Sequence, residues 1–189
     1  MFYWLAVFIS IVFFKIFSRL EIEGFALNKE KIPFILASNH LSNLDPPLLA
    51  TLIRQKIHFV AKKELFENKF FGYCLKKLQA MPVDREKVSP SSMRNYLKAL
   101  KSGPLLIFPQ GTRGGSFDSS LSGVGFLAKK AKIPVIAVRI SGTDKILPKG
   151  AKFPKRGQIK VIFKKVDNIS DKDTARDITA KVVEAIKEL

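Results

Sequence analysis

From Gly24 onward, short apolar runs bounded by turn residues alternate with longer stretches in which apolar residues recur at helical spacing. Short runs of this kind predict buried strands, and the longer stretches predict amphipathic helices. Their alternation is typical of an α/β domain, in which helices cover a central sheet. We predict strands near residues 34–38, 57–61, 80–84, 105–108, 135–140 and 159–164, and helices near 46–54, 64–78, 91–101, 119–130 and 174–188.

Residues 1–14 follow neither pattern, because they are apolar on every side of the helix they predict. Such a helix is buried in protein or in lipid. It is shorter than the roughly twenty residues that span a bilayer comfortably, and it lacks the basic leader and cleavage site of a signal peptide. We predict that residues 1–20 form a membrane-associating helix and residues 21–189 one folded domain. A core helix of a soluble protein is the alternative.

The chain is strongly basic, with 33 Lys and Arg against 16 Asp and Glu and a formal net charge of +17. A charge of this size predicts a polyanionic partner, which could be nucleic acid, an anionic membrane surface or a phosphate-bearing substrate. Charge alone does not choose among these, but the apolar N-terminal segment favours the membrane surface. The single cysteine, Cys74, excludes an internal disulfide and indicates a reducing compartment.

Two polar clusters, residues 39–45 and 109–115, each follow directly after a predicted buried strand. Ligands of open α/β sheets bind at the carboxyl ends of the strands. We therefore expect the two clusters to converge on one cleft, although they are far apart in sequence.

His40 is the stronger candidate of the two histidines for a general base, because it lies in a polar, turn-prone loop. His58 lies in an apolar run and is expected to pack on a strand. Asp45 follows His40 closely enough to fold onto the imidazole, where it would fix the tautomer. Asp45 also precedes Pro46 and Pro47, a typical helix start with Asp at the N-cap, and one carboxylate can serve both purposes.

The cluster Gly111-Thr-Arg-Gly-Gly115 offers backbone amides, a hydroxyl and a guanidinium suited to phosphate. Taken alone, such a segment is more often only a turn. No nucleotide-binding glycine motif occurs, and the absence of a Gly-x-Ser-x-Gly motif disfavours Ser38 or Ser42 as a hydrolase nucleophile. The few cysteines and histidines do not form a metal-binding pattern.

Residues 39–45 resemble the His-x4-Asp motif of the 1-acyl-sn-glycerol-3-phosphate acyltransferase (lysophosphatidic acid acyltransferase) family of glycerolipid acyltransferases. Residues 108–113, Phe-Pro-Gln-Gly-Thr-Arg, resemble the Phe-Pro-Glu-Gly-Thr-Arg motif of the same family. The two motifs agree with the family in order and spacing. Further similarity is found at residues 60–65, 71–72, 81–85 and 133–138, so that the resemblance extends from Leu20 to about Thr143.

The resemblance implies a mixed, largely parallel central sheet flanked by helices, and a general base, His40, that Asp45 orients. It implies transfer of a fatty acyl group from acyl-CoA or acyl-carrier protein to the free hydroxyl of 1-acyl-sn-glycerol-3-phosphate. No metal or cofactor is expected. The expected location is the cytoplasmic face of a membrane, and the bacterial inner membrane is the favoured one. The residues expected at the acceptor are Lys62, Arg85, Gln110, Gly111, Thr112 and Arg113.

Gln110 departs from the family pattern, which has Glu at this position. An amide keeps hydrogen-bonding capacity but loses the charge, so the acceptor could be another lysophospholipid or an amino-acid lipid. A second alternative, motivated only by charge, is a non-enzymatic nucleic-acid-binding protein. That alternative leaves the apolar N-terminus and the His-x4-Asp spacing unexplained.

Overall fold

The computed structural model describes residues 1–24, 33–53, 55–84, 89–115, 117, 123–148 and 150–189. Its strands are β1 (Ser18–Gly24), β2 (Ile35–Ser38), β3 (His58–Lys62), β4 (Ala80–Val83), β5 (Leu105–Ile107), β6 (Val135–Ser141) and β7 (Gly157–Lys165). Its helices are α1 (Phe2–Phe17), α2 (Asp45–Leu52), α3 (Lys69–Lys77), α4 (Pro90–Ala99), α5 (Gly123–Ala131), α6 (Thr143–Ile146) and α7 (Ala175–Glu188).

The seven described strands form one sheet in the order β1-β7-β6-β2-β5-β3-β4. Strands β2 to β6 all run parallel to one another, whereas β7 is antiparallel to β6 and parallel to β1. The predicted α/β class with a mixed, largely parallel sheet is therefore confirmed. The carboxyl ends of β2, β5 and β6 lie side by side at the centre of one edge, which is called the carboxyl edge below.

Apolar side chains from alternate strand positions fill a core on each face of the sheet. One core takes Leu36 and Ile136 from the central strands and packs against α1 and α2. The other takes Ile35 and Val135 from the same strands and packs against α4, α5 and α7. The sheet is thus covered on both faces, as a parallel sheet requires.

Helix α1 lies against the first of these cores along part of its surface. Tyr3, Val7 and Phe14 are buried, and the Tyr3 hydroxyl accepts a hydrogen bond from the backbone N–H of Ile57 at 3.0 Å. Much of the remaining surface of the helix is apolar and exposed. Among the described residues, no helix is both long enough and apolar enough to cross a bilayer. The predicted division of the chain at residue 20 stays a prediction.

Several predicted boundaries differ from the structure. The helix predicted over 64–78 is interrupted, because a 3-10 turn at Lys63–Phe66 ends before Asn68, whose side chain caps a new helix by accepting from the N–H of Phe71 at 2.9 Å. Strand β1 and the short helix α6 were not predicted. Of the helix predicted over 119–130, residues 119–122 lie outside the described part of the chain.

Candidate active site

The two predicted polar clusters meet at the carboxyl edge, because β2 and β5 are adjacent parallel strands. The backbone N–H of Gly114 donates to the carbonyl of His40 at 2.8 Å. The backbone N–H of His40 donates to Oε1 of Gln110 at 2.7 Å. The expected convergence of the two clusters is therefore present in the folded chain.

His40 and Asp45 form a direct side-chain pair. Nδ1 of His40 lies 2.8 Å from Oδ2 of Asp45, whose side chain is fully buried, while 13% of the His40 side chain is exposed. A carboxylate at Nδ1 favours the tautomer that carries its proton there and leaves the lone pair on Nε2. No described residue hydrogen-bonds Nε2, so this atom is available to take a proton from a bound hydroxyl.

Three further groups donate to the Asp45 carboxylate. Oδ2 accepts from the backbone N–H of Leu41 at 2.7 Å and of Ser42 at 2.8 Å, and Oδ1 accepts from the hydroxyl of Thr143 at 2.6 Å. Hydrogen bonds to a carboxylate stabilise its charged form. Four donors therefore hold a buried negative charge in a fixed orientation toward His40.

The expectation that Asp45 caps helix α2 is wrong. The N-cap is Leu44, with no side-chain cap hydrogen bond, and Asp45 is the first helical residue. A tight turn, closed by the bond from the Asp45 N–H to the Ser42 carbonyl at 3.1 Å, directs the carboxylate back into the preceding loop. The carboxylate is thus committed to the loop and to His40.

Phe108 contributes to the orientation of the His40 imidazole. The two rings are stacked, with their centroids 4.0 Å apart and their planes 19° from parallel. Because Phe108 directly follows β5, the end of this strand fixes the position of the Phe108 backbone. Stacking on one ring and hydrogen bonding at Nδ1 together restrict rotation about both side-chain torsions of His40.

Gln110 connects the two loops through its amide. Oε1 accepts from the N–H of His40, and Nε2 donates to the carbonyl of Gly115. One side chain therefore accepts from one loop and donates within the other, which a carboxylate could not do. Its expected role at the acceptor stays a prediction.

The glycine-rich turn differs from the expectation of freely available backbone amides. The N–H groups of Gly111, Gly114 and Gly115 already donate to the carbonyls of Phe108, His40 and Thr112. Gly111 and Gly114 adopt positive φ angles of 69° and 66°, which favour glycine. The glycines thus determine the conformation of the turn. Within residues 111–115, the backbone amides that have no partner among the described residues are those of Thr112 and Arg113.

The cationic residues expected at the acceptor are less closely associated. Arg113 is exposed beside the His40 loop and forms no hydrogen bond or ion pair with any described residue. Lys62, at the end of β3, is half exposed and lies 3.8 Å from Glu64. The structure shows no contact between Lys62 and the His40–Asp45 pair, and Arg85 lies outside the described residues.

The remaining sequence candidates are held by other interactions. Nε2 of His58 lies 2.9 Å from the Ser102 hydroxyl, and partial burial lowers the pKa of His58. The hydroxyl of Ser38 donates to the carbonyl of Asn39, and that of Ser42 to the carbonyl of Leu147. Neither serine is therefore bonded to His40, as a nucleophile in a hydrolase triad would be.

Thr143 was not predicted as a site residue, although its position in the sequence indicates one. It lies in a polar turn directly after β6, which is the same position relative to a buried strand as the two clusters that were identified. Gly142, with φ of 91°, makes the turn that brings Thr143 to Asp45. The described residues contain no group of three or more His, Cys, Asp or Glu that could hold a metal ion, and the expectation of no metal stays a prediction.

Residues 19–141 match the family model described as Acyltransferase. The matched range contains His40, Asp45, Lys62 and residues 110–113, and it ends two residues before Thr143.

Two curated relatives and one solved structure agree with this match. The chain is 37% identical over 142 residues to the 1-acyl-sn-glycerol-3-phosphate acyltransferase of Bacillus subtilis, covering 72% of this chain and 69% of that protein. It is 34% identical to the enzyme of the same name from Streptococcus pneumoniae, covering 61% of this chain and 46% of that protein. The crystal structure of the 1-acyl-sn-glycerophosphate (LPA) acyltransferase from Thermotoga maritima superposes with a TM-score of 0.75 and 25% identity, covering 97% of this chain and 76% of that one.

Proposed function

The chain belongs to the acyltransferase family, and from this we propose that it transfers a fatty acyl group from a thioester to the free hydroxyl of 1-acyl-sn-glycerol-3-phosphate, forming phosphatidic acid. The observation that supports the chemistry best is the 2.8 Å hydrogen bond between His40 Nδ1 and Asp45 Oδ2. The names of the relatives support the choice of acceptor.

In the proposed reaction, Nε2 of His40 takes the hydroxyl proton of the acceptor as the hydroxyl oxygen attacks the thioester carbonyl carbon. The carbon–sulfur bond then breaks, and the imidazolium returns the proton to the departing thiolate. Asp45 stabilises the imidazolium and stays ionised throughout. The other donors to Asp45 are carried by the folded chain and need not move during the reaction.

The acceptor phosphate is proposed to bind at the turn that follows β5. Arg113 offers a guanidinium without a partner among the described residues, and two neighbouring amides and the Thr112 hydroxyl can add hydrogen bonds. A guanidinium binds phosphate in a bidentate, charge-assisted manner. Lys62 and Arg85 are proposed as additional cations, and acyl-CoA or acyl-carrier protein as the donor.

Purified protein assayed against a panel of lysolipids, with acyl-CoA and acyl-carrier protein supplied separately, tests this proposal. We expect the highest kcat/KM with 1-acyl-sn-glycerol-3-phosphate, with phosphatidic acid identified as the product by mass spectrometry. Higher kcat/KM with a phosphate-free acceptor would favour the alternative acceptors that Gln110 suggested. Absence of transfer to every acceptor, together with tight binding of DNA or RNA in a gel-shift assay, would favour the nucleic-acid-binding alternative.

The proposed location is the cytoplasmic surface of an anionic membrane, with α1 at the bilayer. Phe8, Ile9 and Ile16 expose 62%, 59% and 51% of their surface on the side of α1 that faces away from the core. Lys15, Arg19 and Arg156 line an open cleft where α1 meets β1 and β7. Apolar side chains followed by basic ones are typical of helices that lie in the membrane interface.

Deletion of residues 1–14 would not test this location cleanly, because it would also remove the buried side chains of Tyr3, Val7 and Phe14. Substitution of Phe8 and Ile9 by Asp spares these contacts. We expect the double variant to float poorly with anionic vesicles at high salt while keeping its turnover of a short-chain, water-soluble acceptor. Flotation equal to that of the wild type at high salt would contradict the proposed role of α1.

A further inference from the structure

Helix α3 exposes three aromatic side chains that the proposed reaction does not use. Phe70, Phe71 and Tyr73 expose 78%, 47% and 59% of their surface, and together they are called the aromatic patch. Exposed apolar groups that cluster in this way mark sites of interaction with lipid or with another protein.

The local structure holds the aromatic patch outward. Asn68 caps the helix, and the backbone of Gly72 packs so closely on the preceding turn that a Cβ at this position would lie 2.7 Å from the carbonyl oxygen of Phe66. Leu75 is buried on the same side as Gly72. Phe70 and Tyr73 are three residues apart, so they share a stripe on the opposite side of the helix.

The aromatic patch begins at the carboxyl edge, where the candidate active site lies. Strand β3 ends there at Lys62, and the 3-10 turn and two further residues separate this end from the first turn of α3, which carries Phe70 and Phe71. The connection from β3 to β4 joins adjacent parallel strands, and such connections are right-handed. This handedness places α3 on the face of the sheet that α1 and α2 cover.

The end of α1 reaches the same edge on the other side of the active site. Ser18, directly after α1, pairs with Gly157 at the start of β7, and β7 is antiparallel to β6. The strand order therefore places the end of α1 on one side of the His40 loop, beyond β6 and β7, and the start of α3 on the other side, beyond β5. Two exposed apolar regions on one face thus lie on either side of the site.

The charges around the aromatic patch identify its partner. Residues 62–77 contain five lysines and two glutamates. Lys69, Lys76 and Lys77 are exposed on α3, and Nζ of Lys77 lies 5.3 Å from the centre of the Tyr73 ring. Aromatic rings among lysines match an anionic bilayer, in which the rings enter the interface while the ammonium groups remain among the headgroups.

We propose that the aromatic patch is a second membrane-contact site, independent of α1, that inserts Phe70, Phe71 and Tyr73 into an anionic bilayer. Contact on both sides of the site turns the carboxyl edge toward the lipid. The hydroxyl of a lysolipid in the bilayer then reaches His40 without leaving the surface. The benefit for acylation rests on the function proposed above, whereas the membrane contact does not.

The test compares Phe70→Ser with Phe126→Ser by flotation with vesicles of equal parts phosphatidylcholine and phosphatidylglycerol. Phe126 is a suitable control because it is 40% exposed on α5, which packs on the other face of the sheet. We expect Phe70→Ser to weaken partitioning into the vesicles roughly tenfold, since burial of one Phe side chain strengthens partitioning by about this factor or more. Phe126→Ser should leave the partitioning unchanged. Thermal unfolding of both variants checks that each is folded.

A fluorescence measurement reports insertion directly. Trp4 is the chain's single tryptophan, so Phe70→Trp in a Trp4→Phe background carries one reporter on α3. Blue-shifted emission on the same vesicles, with no shift for Phe126→Trp in that background, is expected. An unshifted spectrum, or wild-type flotation of Phe70→Ser, would overturn the proposal. The proposal would also be overturned if light scattering showed a dimeric wild type and a monomeric Phe70→Ser variant while flotation was unchanged. The aromatic patch would then bind a second copy of the chain instead of lipid.

Failure of this proposal and failure of the proposed function give different results. Phe70→Ser should acylate a short-chain, water-soluble lysolipid as fast as the wild type and a long-chain lysolipid in vesicles more slowly. If the wild type acylates no lysolipid, the proposed function fails, while flotation and fluorescence still decide the membrane contact.

Discussion

The loop that carries His40 and the turn that carries Arg113 are adjacent, but the protein satisfies their polar groups to different extents. In the His40 loop, the Asp45 carboxylate accepts four hydrogen bonds from protein groups, and the imidazole is stacked on Phe108. In the turn, the glycine amides are bonded within the protein, but Arg113 is exposed and has no partner among the described residues.

This difference matches two tasks. Proton transfer requires a base whose tautomer and direction are set before the substrate arrives, since reorganisation during the reaction would raise the barrier. Recognition of a charged headgroup requires a cation whose partner is supplied by the substrate. We therefore expect substitutions in the His40 loop to lower kcat, and substitution of Arg113 to raise KM.

Removal of the imidazole is expected to have the largest effect. His40→Ala should lower kcat by roughly 10²–10⁴-fold, the usual contribution of a positioned general base, without unfolding the protein. His58→Ala is the matched control, because the His58 imidazole contacts Ser102 outside the site. We expect this variant to lower kcat only slightly. Steady-state kinetics and circular dichroism of both variants measure this, and near-native turnover by His40→Ala would exclude the proposed mechanism.

Replacement of the exposed cation should produce the opposite pattern. Arg113→Ala should raise KM for the phosphate-bearing acceptor by about 10- to 100-fold with a smaller change in kcat, because a hydrogen bond to a charged group contributes about 1.5–3 kcal/mol. Arg113→Lys should restore the affinity only in part, since an ammonium lacks the bidentate geometry. A lower kcat with unchanged KM would contradict a role for Arg113 in acceptor binding and would assign it to the catalytic step.

Thr143→Val tests whether the orientation of Asp45 depends on the whole set of donors. The substitution preserves shape but removes the hydroxyl that donates to Oδ1 at 2.6 Å, leaving a buried acceptor without its partner. We expect a decrease in kcat of about tenfold with KM nearly unchanged. Thr143→Ser, which keeps the hydroxyl, should restore most of the activity, and equal loss in both variants would indicate a packing effect instead.

Six of the seven described strands, all except β1, and the adjacency of the two clusters could be predicted from sequence, because both depend on local patterns and on one rule of sheet topology. The family and its motif order were also predictable from residues 39–45 and 108–113. The partners of Asp45 were not, since Asp45 and Thr143 are 98 residues apart and meet only through the turn at Gly142. The helix-cap prediction failed because the sequence Asp-Pro-Pro specifies a helix start but not the direction of the carboxylate.

The smallest predicted effect concerns Gln110, whose amide connects the His40 loop to the turn that carries Arg113. In Gln110→Glu, a carboxylate can still accept from the His40 N–H, but when ionised it places negative charge against the Gly115 carbonyl to which the amide donates. Protonation gives the side chain a hydroxyl that can donate to this carbonyl again. We expect turnover a few-fold below the wild type at neutral pH, consistent with the loss of one neutral hydrogen bond of about 1 kcal/mol.

The pH dependence of Gln110→Glu tests this explanation. The ratio of variant to wild-type kcat should rise as the pH falls, because a larger fraction of the introduced carboxyl groups is then protonated. Taking the ratio removes the titrations that both proteins share. Gln110→Ala loses both hydrogen bonds at every pH, so its ratio should stay constant. A constant ratio for Gln110→Glu as well would show that the bond to Gly115 does not position His40. A shift of acceptor preference toward phosphate-free lysolipids in either variant would instead assign Gln110 to recognition.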